Sequence, residues 1–234
     1  MQSLKPKMVI FDVGRTLLEY SEFDSLKGVR ALMTYISENP HDLTAEEIDQ
    51  RTSEIFALFD ESRKQLFEVP EKTILTLAYD VLGLKFSISV DEIERIIWTE
   101  DVVKVPIPHA SELLDKLHEM GIRTAVISNI DFSGDLLRNT LNELFPHHHF
   151  EFVIASSDYG VRKPNHYIFD AGITRSNLPP TDIWYVGDKV KVDVEGSRAV
   201  GMTPVLYKFE RNTYGELPEG LIVIDDMIDL LRYM

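Results

Sequence analysis

Polar residues stop three of the apolar runs in this sequence. Asp12 follows Met8-Val9-Ile10-Phe11, Ser128 and Asn129 follow Thr124-Ala125-Val126-Ile127, and Asp188 follows Ile183-Trp184-Tyr185-Val186-Gly187. Lys163 stands in a loop, directly before Pro164 and a helix start. A carboxylate at the end of a buried strand is costly unless a metal ion or hydrogen-bond donors meet it. In open α/β sheets that edge is also where ligands bind. The three strand ends share one edge if the strands are parallel, and Lys163 can reach the same edge from its loop. The plainer alternatives are local: Asp12 caps the next turn, Asp188 and Asp193 cap a helix N-terminus, and Lys163 is an ordinary exposed lysine.

The runs that carry these residues are short, apolar and rich in strand formers, the pattern of strands covered on both faces. Further runs of this kind are Phe152-Val153-Ile154-Ala155, Pro204-Val205-Leu206 and Leu221-Ile222-Val223-Ile224. Amphipathic stretches at 111–120, 136–144, 165–171, 190–200 and 227–233 separate them. This alternation predicts an α/β fold: a Rossmann-like parallel sheet with right-handed crossovers and helices on both faces. Residues 20–105 break it. They read as almost wholly helical: an apolar periodicity from Phe23 to Ile36, capping boxes at Thr44/Glu47 and Ser89/Glu92, and a helix opening at Pro70 and closing at Gly83. The chain thus divides into a core of 1–19 and 106–234 and an inserted α-helical cap domain of 20–105, with Pro106 and Pro108 as the returning linker.

The 234 residues carry 39 acidic and 24 basic side chains, for a formal charge of −15, and no Cys. Such a charge repels a nucleic-acid backbone. The lack of Cys excludes disulfides, thiolate metal sites and Cys nucleophiles, and fits a reducing compartment. No stretch reaches the length of a membrane span, and the start has no long apolar segment. The expectation is a cytoplasmic protein, monomer or homodimer, that binds neither nucleic acid nor membrane.

Taken together and in order, the motifs resemble those of the haloacid dehalogenase superfamily, the phosphatase-rich group of aspartate-nucleophile hydrolases. Its D-x-D-G-T-[LV] stands here as Asp12-Val13-Gly14-Arg15-Thr16-Leu17, its strand-ending Ser/Thr as Ser128, its Lys as Lys163, and its G-D-x-x-x-x-D as Gly187-Asp188 to Asp193. Gly196, Ala199, Gly201 and Met202 continue the last motif, and the helical insertion matches the family's C1 cap. The resemblance implies that Asp12 attacks phosphorus and forms an aspartyl-phosphate. It implies that Mg²⁺ is held by Asp12, the carbonyl of Gly14 and Asp188. Ser128 and Lys163 then hold phosphoryl oxygens, with Asn129 and Arg15 beside the substrate, and Asp193 orients Lys163 or a metal-bound water. The substrate so implied is a small phosphorylated metabolite.

One departure bears on the chemistry. The family's phosphatases carry a second Asp, two residues after the nucleophile, that protonates the leaving group; here that residue is Gly14. Three readings follow: the substrate needs little protonation, Glu19 or a cap residue supplies the proton, or the protein is a catalytically weak phospho-ligand-binding module. A fourth is attack on carbon, as in the dehalogenases that also lack this Asp; Gly187-Asp188 argues against it. Arg15 reads as a surface arginine paired with a carboxylate, His147-His148-His149 as a solvated loop rather than a metal site, and His109 receives no role.

Overall fold

The protein is described by a computed structural model over residues 5–148 and 150–234. Met8–Phe11 forms β1, and all four residues are buried. Because side chains alternate along a strand, Val9 and Phe11 enter one apolar cluster with Val126 and Val186. Met8 and Ile10 enter another, on the opposite face, with Ala125, Ile127 and Tyr185. Burial on both faces is why the run is apolar throughout. The other strands are β2 Leu18–Ser21, β3 Ile36–Glu38, β4 Lys85–Phe86, β5 Val103–Pro106, β6 Arg123–Ser128, β7 Val153–Ala155, β8 Ile183–Gly187, β9 Thr203–Tyr207 and β10 Ile222–Ile224.

Six strands form the main sheet in the order β10-β9-β8-β1-β6-β7, and every neighbouring pair is parallel. Helices Ala110–Glu119 and Gly134–Leu144 pack on one face through Leu113, Leu114, Leu117, Leu137 and Leu141. Helix His166–Ser176 packs on the other through Ile168 and Phe169. This is the Rossmann-like α/β arrangement read from the alternation of elements. Phe11 pairs with Val126 on one side and Val186 on the other. That register brings the carboxyl ends of β1, β6 and β8 out together.

Between β2 and β5 lie helices Ser25–Leu32, Ala45–Ala57, Asp60–Lys64, Glu71–Leu82 and Val90–Glu100. All but Asp60–Lys64 share an apolar cluster of their own that includes Val29, Leu32, Ile48, Leu75, Leu82 and Ile97. The segment is less uniformly helical than its periodicity suggested. The first helix stops at Leu32, a 3₁₀ turn covers Met33–Tyr35, and Ile36–Glu38 pairs antiparallel with β4. Thr34, Tyr35 and Ile36 are β-branched or aromatic, types that suit a strand better than a helix. The junction with the core is also not a plain linker. β2 and β5 form an antiparallel ribbon in which Leu18 faces Pro106 and Tyr20 faces Lys104. The Thr44/Glu47 capping box forms. Ser89 caps Glu92, but the Glu92 carboxylate turns to Arg95 instead of closing the second box. At the chain's end the element Met227–Tyr233 is a 3₁₀ helix. No helix among the described residues is long and apolar enough to cross a membrane.

Polar contacts tie the helical segment to the sheet. Glu68, with its side chain 1% exposed, lies 3.1 Å from Arg162 and 3.6 Å from Arg63, and accepts from Ser156 Oγ at 2.7 Å. Glu94 accepts from the Ser133 amide at 2.8 Å and its hydroxyl at 2.9 Å. Each carboxylate is buried with its donors, the condition under which burial of charge is tolerated.

Asp101 is the contrasting case. It is buried and accepts one hydrogen bond, from the Gly28 amide at 2.8 Å. Burial pushes its carboxyl up to about 7; Asp49 and Asp24 add to the rise, while the Gly28 amide and Lys104 oppose it. Burial raises the neighbouring Glu71 too, and Asp131 and Asp101 add to that rise. The folded state therefore binds this proton more tightly than the unfolded chain. The resulting stability is complete below the ordinary Asp value, about 4, and is lost as pH rises through 7. Asp101→Asn keeps an oxygen for Gly28 and cannot ionise. Urea unfolding of both proteins at pH 4.5 and pH 8, about the two ends of the window, is expected to show the variant gaining stability relative to wild type at the higher pH. An unchanged difference between the two proteins would exclude this account.

Candidate active site

The sheet delivers Asp12 to the carboxyl edge one residue past β1, where its amide donates to the Val186 carbonyl at 2.9 Å. Its side chain meets Lys163. The Lys163 ammonium is buried and donates to Asp12 Oδ1, Asp193 Oδ1 and the Tyr185 hydroxyl, each at 2.7 Å. An ammonium has three donors, and all three are used. Burial alone would depress this lysine, but Asp12 and Asp193 outweigh it and hold it above its ordinary range. Tyr185 in turn donates to the Ile127 carbonyl at 2.9 Å.

The loop that carries Lys163 is held by Asn129. Its amide nitrogen donates to the Lys163 carbonyl at 2.9 Å, and its oxygen accepts from the Lys163 amide at 2.7 Å. Asn129, expected beside the substrate, thus has its polar atoms on the Lys163 main chain while it lines the same cavity as Asp12. Ser128 is 3% exposed. Its hydroxyl lines that cavity and makes no hydrogen bond among the described residues.

After β8, Asp188 is fully buried. Its Oδ2 accepts from Asn212 Nδ2 at 2.6 Å, and its Oδ1 has no partner. Burial and the nearby Asp12 carboxylate raise it, against the Asn212 hydrogen bond. A π-helical turn over Val190–Val194 then brings Asp193 back to the strand end. There Asp193 Oδ2 accepts from the Lys189 amide at 3.0 Å while Oδ1 takes Lys163. This close return requires Gly187, because a Cβ there would lie 2.4 Å from Asp193 Cβ.

Carboxylate oxygens of Asp12, Asp188 and Asp193 lie within 4.8 Å of one another. Lys163 bonds two of the three, Asp12 and Asp193. The orphaned, buried Asp188 Oδ1 and the unpaired Asp12 Oδ2 are what a small divalent cation with hard oxygen ligands would satisfy. Both Asp193 oxygens are already engaged, which suits it to orienting Lys163. The residues present fit Mg²⁺, with Gly14 at the wall of the same cavity.

The cavity holds about 300 Å³ and is lined by Asp12, Gly14, Arg15, Tyr20, Ser128, Asn129 and Lys163, among others. Arg15 does not pair with a carboxylate. It donates to Asn212 Oδ1 at 3.1 Å and lies 5.9 Å from the Phe209 ring centroid. Its φ of 61° explains why a glycine suits this position in the family's motif. Glu19 leaves the list of proton donors, since it pairs with Arg211 at 2.6 Å and lines a different cavity. His148 is buried, with Nε2 2.6 Å from Thr124 Oγ1, so the His run is not wholly a solvated loop; its ring meets Phe150 edge-on and its amide donates to the Phe145 carbonyl. His147 is exposed and His149 lies outside the described residues. His109 opens its helix in the left-handed region and contacts Asp226 at 2.7 Å.

Sequence reasoning missed three residues here. Tyr185 looked like one more strand aromatic, and Asn212 lies in a loop with no motif. Tyr20 is the third. A Cβ on Gly14 would lie 3.1 Å from the Tyr20 ring, so that ring occupies the space beside the side-chain-free residue. The Tyr20 hydroxyl is buried without a hydrogen-bond partner, and burial, then Asp12 and Asp131, raise it.

The fold, and an edge that gathers aspartates and a buried lysine, define a hydrolase of the Rossmann-like class. The sequence profile of haloacid dehalogenase-like hydrolases matches residues 9–206, and the chain belongs to that family. The glyceraldehyde 3-phosphate phosphatase of Methanothermobacter thermautotrophicus is 28% identical over 231 residues, covering 96% of this chain and 97% of its own. The enzyme of the same name from Methanopyrus kandleri is 26% identical and covers 90% and 87%. Among solved structures, a 2-haloacid dehalogenase from Pseudomonas syringae superposes with a TM-score of 0.66 at 18% identity, over 97% of both chains. At that identity the likeness speaks to the fold alone.

Gly187→Ala tests the local architecture. Overpacking of this kind typically costs about 1–3 kcal/mol, and the displaced carboxylate is the one that holds Lys163. A lower urea midpoint together with a loss of activity larger than that of a surface Gly→Ala control is expected. Wild-type activity in a folded Gly187→Ala protein would contradict the role given to this contact.

Proposed function

We propose that this chain is a Mg²⁺-dependent phosphatase of small phosphorylated metabolites that works through an aspartyl-phosphate on Asp12. The observation that carries the reading is the Asp12–Lys163–Asp193 cluster beside Asp188 and its orphaned oxygen. The near-full-length relatives with phosphatase names support the choice of phosphorus over carbon. Gly14 alone favours attack on carbon with halide release; an acidic pair retained for a cation opposes it.

Lys163 fixes Asp12 Oδ1, leaving Oδ2 to form the bond to phosphorus. The ester P–O bond breaks as that bond forms, and the electron pair leaves on the substrate oxygen. Ser128 donates to a phosphoryl oxygen as charge gathers there. Water then attacks the phosphorus of the aspartyl-phosphate, which frees phosphate and restores the Asp12 carboxylate. Asp12, Asp188 and the Gly14 carbonyl would hold Mg²⁺, which would supply the positive charge that lets carboxylate and phosphate approach. Residues 20–105 act as the cap, since Tyr20 at their start closes one wall of the cavity.

Gly14 carries no acid, Glu19 is engaged elsewhere, and the cap's Tyr20 hydroxyl is held above its ordinary range by burial, Asp12 and Asp131, so the leaving oxygen takes its proton from solvent. Rates on a panel of phosphate esters are therefore expected to rise steeply as the leaving-group pKa falls. Mass spectrometry with a reactive acyl phosphate is expected to detect a phosphate adduct that Asp12→Asn lacks. Equal rates on aryl and alkyl phosphates would sink the solvent-proton account; halide release, or activity indifferent to chelator, would select attack on carbon. Mg²⁺ is further expected to raise the melting temperature of wild type and not of Asp188→Asn. Gly14→Asp alone meets the Tyr20 ring. Paired with Tyr20→Leu it is expected to accelerate alkyl phosphates toward the ~10²–10⁴-fold that general acid–base catalysis contributes.

A further inference from the structure

A second cavity, of about 320 Å³, lies among the helices of residues 20–105 and the 131–132 segment. Val29, Phe56, Leu75, Ile97 and Phe132 give it apolar walls. Its polar lining is acidic or hydroxylic: Asp49, Glu71, Asp101 and Asp131 contribute carboxyl groups, and no Lys, Arg or His lines it. Asp131 is neutralised from outside by Arg63 at 2.8 Å.

Two of these side chains are anomalous. Thr52 is 7% exposed and its Oγ1 has no hydrogen-bond partner. Glu71 is 6% exposed, and no donor among the described residues reaches its carboxyl group. Among the described residues, Glu68 is matched by arginines and a serine, Glu94 by Ser133, and Asp12 and Asp193 by Lys163; Asp101 keeps the Gly28 amide, and Asp188 keeps Asn212 at one oxygen. Leaving a buried polar group unmatched costs about 1–3 kcal/mol, more for a charge. Both exceptions face the same space, and burial pushes Glu71 well above the carboxylate range, with Asp131 and Asp101 adding to the rise.

We propose that this cavity binds a small organic cation, an ammonium on an apolar body, with the N–H groups donating to Glu71, Asp101 and Thr52 Oγ1 and the body lying against Phe56, Leu75 and Phe132. An anion is excluded by the lining. A neutral apolar molecule would leave Thr52 and Glu71 unmatched. The catalytic cavity lies on the other side of one short segment: Asn129 and Ile130 line that cavity, Asp131 and Phe132 this one. The cation is either the amine end of a phosphorylated substrate or a separate amine. Binding itself does not depend on the phosphatase reading.

The probe is benzylammonium, with benzyl alcohol and benzoate as neutral and anionic counterparts, titrated into the full chain by calorimetry and by saturation-transfer NMR. Benzylammonium is expected to bind, and its two counterparts to bind at least about tenfold more weakly, the loss expected for a charge-assisted contact. Glu71→Gln and Thr52→Val, whose side chains hold no hydrogen-bond partner among the described residues, are expected to fold, to melt no lower than wild type, and to lose benzylammonium by a similar factor. Equal binding of the alcohol, or undiminished binding by folded Glu71→Gln, overturns the proposal. Inorganic phosphate and an aminoalkyl phosphate separate the sources. If the aminoalkyl phosphate displaces benzylammonium and phosphate alone does not, the cation is the substrate's own amine. If neither displaces it, the site serves a separate amine.

Discussion

The buried ammonium of Lys163 is the interaction on which the rest of the site depends. Three acidic side chains gather at one sheet edge, and their mutual repulsion in a low-dielectric setting would drive protons onto them or push them apart. Lys163 offsets that by giving each of its protons to a defined acceptor, two carboxylates and the Tyr185 hydroxyl. Neither end of the arrangement is free to move. Asn129 fastens the lysine's own peptide at both its N–H and its carbonyl. Tyr185 is fastened to the Ile127 carbonyl, inside the sheet itself. The position of the charge is thus set by strand geometry rather than by a flexible four-carbon stem.

Backbone shape supplies the second constraint. A π-helical turn directly after β8 returns Asp193 to the strand end within five residues of Asp188, where it lies too near Gly187 for any Cβ. An ordinary helix begun at the same point would rotate residue 193 away by the difference between the two periodicities. The unusual turn and the bare glycine are two halves of one local solution. Both serve to put a carboxylate where the sequence of charges alone would disfavour it.

The parts of this molecule that could be read from residues alone are those with period and order. Strand runs buried on both faces announce themselves by continuous apolar character, and β1, β6 and β8 carry Asp12, Ser128 and Asp188 to one edge for that reason. What could not be read depended on contacts between distant segments. Tyr185 sits in a run where every residue is apolar, and nothing local marks its hydroxyl as a lysine ligand. Asn212 and Arg15 meet from positions far apart in the chain, so Arg15 was assigned to a carboxylate on charge statistics and found on an amide and a ring. The helix forecast from Phe23 to Ile36 failed at Thr34-Tyr35-Ile36 because a two-residue partner, Lys85-Phe86, was available to pair with it.

The segment from Asn129 to Ser133 explains why the two cavities belong to one mechanical unit. Asn129 holds the Lys163 loop, Ile130 lines the cavity that holds Asp12, and Asp131 binds Arg63 and accepts the Glu71 amide at its carbonyl at 2.8 Å. Phe132 stacks at 4.7 Å on Trp98, and Ser133 caps the buried Glu94. One short stretch therefore passes from core contacts at 129–130 to helical-segment contacts at 131–133. A displacement of the helices large enough to open either cavity pulls on the contacts at 131–133, while those that fix Lys163 lie at Asn129 and the sheet edge. Since Lys163 is held by three hydrogen bonds and the Asn129 clamp by two more, the cost of such a displacement falls first on the partially exposed Arg63–Asp131 pair, where water can replace the lost partner. The stretch is thereby stiff at its catalytic end and compliant at its helical end.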